Sequence, residues 1–125
     1  KILKREKIWL TEGALKADIA TDMLSRNFNR EQLELYGDTF LATPGVNAWQ
    51  AVLPVLKQME VKEINLAFDR DFSSNPYVMQ ALKDFMTYAK DEGYHVNMVT
   101  WGKDDGKGID DLLLIGKTPT ITPIF

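Results

Sequence analysis

The sequence predicts an α/β fold with a mostly parallel, four-stranded central sheet flanked by helices. Short runs rich in β-branched and aromatic residues alternate with longer stretches in which apolar residues recur at helical spacing. Strands separated by segments of helix length are typical of βαβ units, whose strands run parallel. Because ligands of such sheets bind outside the carboxyl ends of the strands, the residues that follow each strand are the first candidates for a functional site.

The first half of the chain predicts two strands and two helices. Residues 7–11 (KIWLT) form the first strand and residues 14–27 the first helix. The apolar stripe of that helix comprises Leu15, Ile19, Met23 and Leu24, with Ala17 and Ala20 beside it. A second strand lies within residues 38–45 and ends at Pro44-Gly45. Residues 47–60 have helical spacing, and Pro54 marks either a kink or the start of the regular helix.

The second half continues the alternation with two strands, two helices and a tail. The strands are residues 63–68 and 94–101, and the helices are residues 74–93 and 108–116. The helix at 74–93 has the clearest signals, with Ser or Asn as N-cap and Pro76 at its first position. Its buried stripe comprises Val78, Leu82, Phe85, Met86 and Ala89. We expect a domain over residues 1–116. Residues 117–125 are expected to be a linker or an edge segment leading to the next domain.

Composition narrows the class of protein. A chain of 125 residues that is 45% hydrophobic and 26% charged is typical of one folded domain. No apolar run approaches the ~20 residues of a spanning helix, so we expect no membrane partner. The absence of cysteine excludes disulfides and thiolate metal sites and fits a cytoplasmic location. The lack of an initiator Met suggests a piece of a longer protein.

The net charge makes a free-standing nucleic-acid binder a poor match. The formal charge is −3, whereas proteins that bind nucleic acid without sequence preference take most of their affinity from Lys and Arg. Nucleic acid would therefore be bound through a local site or with help from neighbouring domains. The single histidine, His95, excludes a His-rich zinc site.

Acidic residues follow the predicted strands. Glu12 follows the first strand, Asp69 and Asp71 follow the third, and Asp110 and Asp111 lie in the loop after the fourth. Two carboxylates as close as Asp69 and Asp71 repel each other unless a cation lies between them. An all-oxygen set suits a hard cation such as Mg²⁺, with Mn²⁺ as a substitute. Mg²⁺ sites of this kind act on phosphates.

Each feature alone also has a structural interpretation. Glu12 could be a solvated loop residue or a helix cap, and D-x-D could be an exposed turn. Asp110 could be the N-cap of the last helix. We expect the three tryptophans, Trp9, Trp49 and Trp101, to pack in the core. The functional interpretation depends on the acids acting together.

In order, these motifs resemble the toprim domain. Strand–Glu–Gly–helix, then strand–D-x-D–helix, then a K-G-x-D-D loop is similar to the catalytic module of bacterial-type primases, type IA and II topoisomerases and some nucleases. More closely, "WLTEGALKADIA", "GVNAW", "AFDRDFSSNPYVMQAL" and "GYHVNMVTWGKDDGKGIDDLL" resemble a toprim-like family of unknown function. That family occurs in large replication proteins of phages, plasmids and integrative elements, beside helicase or primase modules. The resemblance covers residues 7–116 and implies a Rossmann-type toprim fold.

The resemblance also implies residue roles. Glu12 matches the toprim glutamate, a general acid/base or partial metal ligand, and Asp69 and Asp71 match the aspartates that hold Mg²⁺. The remaining matches are phosphate or nucleic-acid contacts at Lys16, Arg70 and Lys107, and supporting residues at Gly13, Asp110 and Asp111. The implied partners are DNA or RNA, nucleotides, and helicase or primase modules of the same longer protein.

Three hypotheses follow. The first is a Mg²⁺-dependent domain that transfers nucleotides or cleaves phosphodiesters. The second is a toprim-shaped module that binds DNA or a partner without chemistry. The third is a receiver-like phosphoacceptor domain, which should have two adjacent acids after its first strand, whereas Gly13 follows Glu12. The chain departs from primases in having Phe72-Ser73-Ser74 after D-x-D, and it has no zinc motif.

Overall fold

The computed structural model describes residues 4–68, 75–102 and 104–125. Over these ranges the chain forms a three-layer α/β structure. The strands are β1 (Lys7–Glu12), β2 (Phe40–Thr43), β3 (Glu63–Leu66), β4 (His95–Thr100) and β5 (Thr120–Pro123). The α-helices are α1 (Ala14–Asn27), α2 (Arg30–Tyr36), α3 (Leu53–Met59), α4 (Pro76–Asp91) and α5 (Ile109–Leu114), and a 3₁₀ segment (Val46–Val52) precedes α3.

The strands form one sheet in the order β2-β1-β3-β4-β5. The pairs β1–β2, β1–β3 and β3–β4 are parallel, so the predicted mostly parallel α/β class is confirmed. The predicted number of four strands was wrong, because β5 adds an antiparallel edge strand beside β4. Ile121 of β5 lies opposite Val99, and its side chain packs against one of the two hydrophobic cores.

Helices cover both faces of the sheet. On one face, Ile8, Leu10 and Ile64 pack with α3 and α4 to form what we term the first core. On the other face, Trp9 and Phe40 pack with α1 and α5 to form the second core. The alternation along β1 is the period-two pattern of a strand buried on both sides. The three tryptophans pack in or against these cores, as expected.

Local sequence signals account for the start of α4 and for the irregular start of α3. Asn75 caps α4 by accepting hydrogen bonds from the backbone N–H groups of Tyr77 and Val78, at 2.9 and 3.4 Å. Pro76 follows at the first turn. Pro54 lies in the first turn of α3, so the proline marks where the regular helix begins rather than a kink within it.

The predicted stripe of α1 needs a correction. Leu15 is 73% exposed, and the buried residues of α1 are Ala17, Ala20 and Leu24. Small alanines let the helix lie close against the sheet and α5, which turns Leu15 towards solvent. Helix α2, which has a capping box formed by Asn29 and Gln32, was not among the predicted elements.

A row of paired residues crosses the sheet on the second-core face. Phe40, Trp9, Asn65 and Asn97 are in register on four neighbouring strands. The Asn97 side-chain amide donates to Asn65 Oδ1 at 2.7 Å, and Asn65 Nδ2 donates to the carbonyl of Tyr36, also at 2.7 Å. The Trp9 indole N–H donates to the carbonyl of Gly37 at 2.9 Å. These bonds anchor the end of α2 to the centre of the sheet.

Within the described ranges no helix is both long enough and apolar enough to span a bilayer.

The buried row predicts a large stability effect at Asn65. Asn65→Ala leaves the Asn97 amide and the Tyr36 carbonyl without partners, so we expect a loss of about 2–4 kcal/mol in the free energy of unfolding. The measurement is urea denaturation. The control is Gln80→Ala, which removes an exposed side-chain hydrogen bond to Asp84 and should cost less than about 0.5 kcal/mol. Equal losses in the two variants would contradict the role of the row.

Candidate functional site at the carboxyl edge of the sheet

Glu12 is the last residue of β1 and lies at the carboxyl edge of the sheet. It is aligned with Thr43, the last residue of β2, and it is half-buried. Ile8 and Leu10, at alternate positions before it, are in the first core, so Glu12 extends from the same face of β1. The carboxylate therefore stands at the end of a strand that is paired on both sides.

Gly13 turns the chain from β1 into α1 within one residue. Its φ is 86° and its ψ is 121°, a conformation that disfavours residues with a side chain. Its N–H donates to the carbonyl of Thr43 at 2.9 Å, and its carbonyl accepts from Ala17 N–H at 3.1 Å. Within the described part of the chain the space beside it is open, because a Cβ at this position would meet no heavy atom of those residues within 4 Å. Helix α1 therefore begins directly after Gly13 and close to Glu12.

The D-x-D motif lies outside the described residues, and so do Asp69, Arg70 and Asp71. The structure describes the chain up to Phe68 before the motif and from Asn75 after it. Ala67 and Phe68 are buried, and Ala67 N–H donates to the Leu10 carbonyl at 2.8 Å, which extends the β1–β3 pairing by one residue. The chain therefore leaves β3 beside the strand that carries Glu12.

The loop from β4 to α5 is fixed by three side chains. The Trp101 indole N–H donates to the carbonyl of Gly106 at 2.9 Å. Asp105 forms an ion pair with Lys117 at 2.6 Å, and Asp111 Oδ2 accepts from the N–H of Gly108 at 3.1 Å. Asp111 is thus an exposed carboxylate with a capping role, and the N-cap of α5 is Gly108 rather than Asp110.

Asp110 differs from its neighbour. It lies in the first turn of α5 beside the buried Ile109, and its Oδ1 is enclosed without a hydrogen-bond partner among the described residues. Burying a carboxylate oxygen without a donor is costly unless a cation or a proton balances it. Two lysines were also predicted at this edge. Lys16 lies in the first turn of α1, shortly after Glu12, and is half-buried. Lys107 lies shortly before Asp110 and is exposed.

The described acids do not by themselves make a metal centre. Over residues 4–68, 75–102 and 104–125, no three His or acidic side chains are grouped so that they could hold an ion. Glu12 lies at the end of β1, and Asp110 belongs to α5, which packs against the second-core face. The donor set proposed from the sequence therefore depends on Asp69 and Asp71.

Sequence reasoning missed two buried hydroxyls next to Glu12. Thr11 and Thr43 are 1% and 0% exposed, and neither Oγ1 has a hydrogen-bond partner among the described residues. The available signal was their position, because Thr11 directly precedes Glu12 and Thr43 precedes Pro44-Gly45.

A concave region at the opposite edge of the sheet has charges of both signs that pair with each other. It is lined by both signs of charge from the start of β1 and from α2. Arg5 pairs with Asp38 at 3.3 Å, and Arg30 pairs with Glu34 at 3.7 Å. This groove has no excess of one charge, which leaves the carboxyl edge as the better candidate.

The fold and this edge define the class of protein: an α/β domain with a mostly parallel sheet and a polar carboxyl edge. The chain belongs to the domain family of unknown function DUF3854, whose sequence model matches residues 2–118. The match covers β1 to β4 and α5 and ends before β5. No curated protein and no solved structure matches the chain significantly.

The turn at Gly13 predicts a backbone cost without a steric clash. Gly13→Ala should lower the free energy of unfolding by about 1–3 kcal/mol, because alanine must adopt a positive φ, although its Cβ would meet no atom of the described residues. Gly37→Ala should cost more, since its Cβ would also lie 2.5 Å from the carbonyl oxygen of Lys7. Urea denaturation of both variants tests this order. A Gly13→Ala protein as stable as the original chain would show that the turn has another conformation.

Proposed function

We propose that this domain is a toprim-like module that binds Mg²⁺ and acts on phosphodiesters of nucleic acid or nucleotides, as part of a replication protein of a phage, plasmid or integrative element. The observation that carries the proposal is the pairing of β1 with β3. Leu10 is aligned with Leu66, so Glu12 and the segment that begins at Asp69 follow neighbouring parallel strands at one edge. Parallel sheets bind their ligands at this edge.

The residues present fit a hard cation. Glu12, Asp69 and Asp71 would supply only oxygen donors, which Mg²⁺ prefers. The enclosed Oδ1 of Asp110, which has no hydrogen-bond partner among the described residues, is a further oxygen whose burial a nearby positive charge would balance. Bound Mg²⁺ would neutralise negative charge that develops on a phosphate during its transfer.

Each protein group then has a role. The Glu12 carboxylate would accept a proton from the attacking hydroxyl or water, or share in holding the cation. Lys16, Arg70 and Lys107 would contact phosphate oxygens. As far as the described residues show, Gly13 leaves open space beside Glu12, where a phosphate group would approach the backbone.

Two exposed apolar side chains favour nucleic acid as the ligand. Tyr77 is 78% exposed and Leu15 is 73% exposed, more than any other large apolar side chain in the described part of the chain. Both lie in the first turn of a helix that begins at the carboxyl edge, Tyr77 in α4 and Leu15 in α1. Unpaired bases stack on aromatic side chains with little sequence preference. Contacts of this kind would provide affinity that the acidic chain does not take from lysine and arginine.

The metal site is tested with Mn²⁺ as the probe. We expect the chain to bind Mn²⁺, measured by electron paramagnetic resonance, and the double variant Asp69→Asn, Asp71→Asn to lose binding, because it removes two charged ligands. Asp110→Asn should weaken Mn²⁺ binding by about tenfold, as loss of a supporting carboxylate does.

Asp111→Asn is the matched control for Asp110→Asn. Its side chain is exposed, and an amide oxygen can still cap Gly108, so its affinity for Mn²⁺ should stay within about twofold of the original value. If Mn²⁺ does not bind, or if the double variant binds it equally well, the domain is not a metal-dependent enzyme. The non-catalytic binding module then takes its place.

The nucleic-acid contact is tested separately at Tyr77. Tyr77→Ala should weaken binding of a fluorescein-labelled single-stranded DNA by about fivefold or more, measured by fluorescence anisotropy, because a stacked base contributes about 1–3 kcal/mol. Leu35→Ala is the control, since Leu35 is 54% exposed on α2, away from the carboxyl edge. An equal effect of the two substitutions would remove the argument for base contact at this edge.

A further inference from the structure

Strand β5 is the last strand of the sheet, and one of its two edges faces away from β4. An edge strand exposes backbone N–H and C=O groups that can pair with a strand of another molecule. Strand β5 ends with Pro123, and Pro119 directly precedes the strand. Because proline has no backbone N–H, the direction in which each proline faces decides whether the free edge can bind another strand.

The hydrogen bonds that follow β5 show which of its residues face β4. The N–H of Ile124 donates to the carbonyl of Val96 at 2.9 Å. In an antiparallel pair, successive residues direct their N–H and C=O groups alternately towards the partner strand and away from it. Thr122, two residues before Ile124, therefore faces β4, where it is aligned with Met98. Pro123 faces away from β4.

The hydrogen bonds on the other side of β4 agree with this assignment. The N–H of His95 donates to the carbonyl of Lys62, directly before β3, at 2.9 Å. His95 therefore faces β3, and the next residue, Val96, faces β5. Both sides of β4 give the same alternation.

The outer side of β5 has few backbone donors. Ile121 and Pro123 face away from β4, and Pro119 lies two residues before Ile121. Of these three residues, only Ile121 has a backbone N–H. A strand that approached this edge would find acceptors at each position and a donor at one of them. A regular ladder cannot form over such an edge.

Strand β2, at the opposite edge of the sheet, occupies an outward N–H in a different way. The N–H of Trp9 donates to the carbonyl of Thr39 at 2.9 Å, so Thr39 faces β1 and the next residue, Phe40, faces away from it. The Phe40 N–H donates to Oγ1 of Thr21 in α1 at 3.1 Å. A side chain of the same chain thus occupies this outward donor at β2, whereas proline removes donors at β5.

We infer that Pro119 and Pro123 close the outer edge of β5 to strand addition by a second copy of this chain. Two copies related by a two-fold axis would bring β5 against β5, so both strands of the new pair would lack the same donors. The shortage of hydrogen bonds therefore counts twice in a self-pairing of the sheet. The inference is independent of the proposed function, because it involves none of the residues at the carboxyl edges of β1 and β3.

The first experiment measures amide hydrogen exchange in the original chain by nuclear magnetic resonance. The N–H of Thr122 faces β4 and should be protected, whereas that of Ile121 faces solvent and should exchange about tenfold faster or more. Similar protection of the two amides would show that the outer edge of β5 is already paired, which would overturn the inference.

The second experiment restores the missing donors. The double variant Pro119→Thr, Pro123→Thr gives the outer edge an N–H at each position without adding apolar surface. Sedimentation velocity over a range of concentrations should show that this variant self-associates while the original chain stays monomeric. Near-ultraviolet circular dichroism establishes that the variant is folded, and Pro123→Thr alone replaces it if it is not.

Pro76→Thr is the matched control, because it makes the same substitution at an exposed proline in the first turn of α4, away from both edge strands. It should remain monomeric. A folded edge variant that stays monomeric at every concentration overturns the inference. Equal self-association of Pro76→Thr also overturns it, since the association would then come from threonine at the surface and not from the edge of β5.

Discussion

The pairing of β1 with β3 is the constraint on which the rest of the molecule depends. Ile8, Trp9 and Leu10 are fully buried, because β1 is paired on both sides and covered by helices on both faces. A strand in that position cannot shift by one residue without exchanging its two sets of side chains between the two cores. The same register determines where Glu12 ends β1 and where the chain leaves β3 towards Asp69. The same strand register is therefore required both for core packing and for the position of the candidate site.

The two faces of the sheet differ in where their polar residues lie. The polar row through Asn65 and Asn97 lies in the middle of the second-core face, where its hydrogen bonds tie the end of α2 to the sheet. This fixes the short connection into β2, which begins four residues after Tyr36. The first-core face is apolar up to the ends of β1 and β2, where Glu12 and Thr43 stand side by side. The hydrogen bonds of Asn65 thus help to position β2, whose last residue lies beside Glu12.

Local signals made most of the fold predictable from the sequence. The cap at Asn75-Pro76, the period of β1 and the Gly13 turn each depend on neighbours in the chain. The elements that the sequence did not predict depend on residues distant in the chain. Strand β5 contains a proline and is recognisable as a strand only from its pairing with β4. In α1 both Leu15 and Ala17 fit an apolar stripe, and only close packing against the sheet and α5 decides between them. The candidate site stays a prediction from the order of strand ends, whereas the burial of the Thr43 hydroxyl, which has no hydrogen-bond partner among the described residues, depends on how distant segments pack.

Charge and exposure together explain how an acidic domain could hold a polyanion. A formal charge of −3 repels phosphate at long range, so attraction must be created locally. A divalent cation held by the acids of the proposed site would do this at the carboxyl edge of the sheet. Exposed apolar groups such as Tyr77 and Leu15 would add affinity for nucleic acid that does not depend on charge. Membership of DUF3854 assigns neither metal binding nor nucleic-acid binding, so each proposal is argued from the residues of this chain. A domain built in this way would bind nucleic acid weakly without the metal, and its affinity would depend less on salt than that of a basic protein.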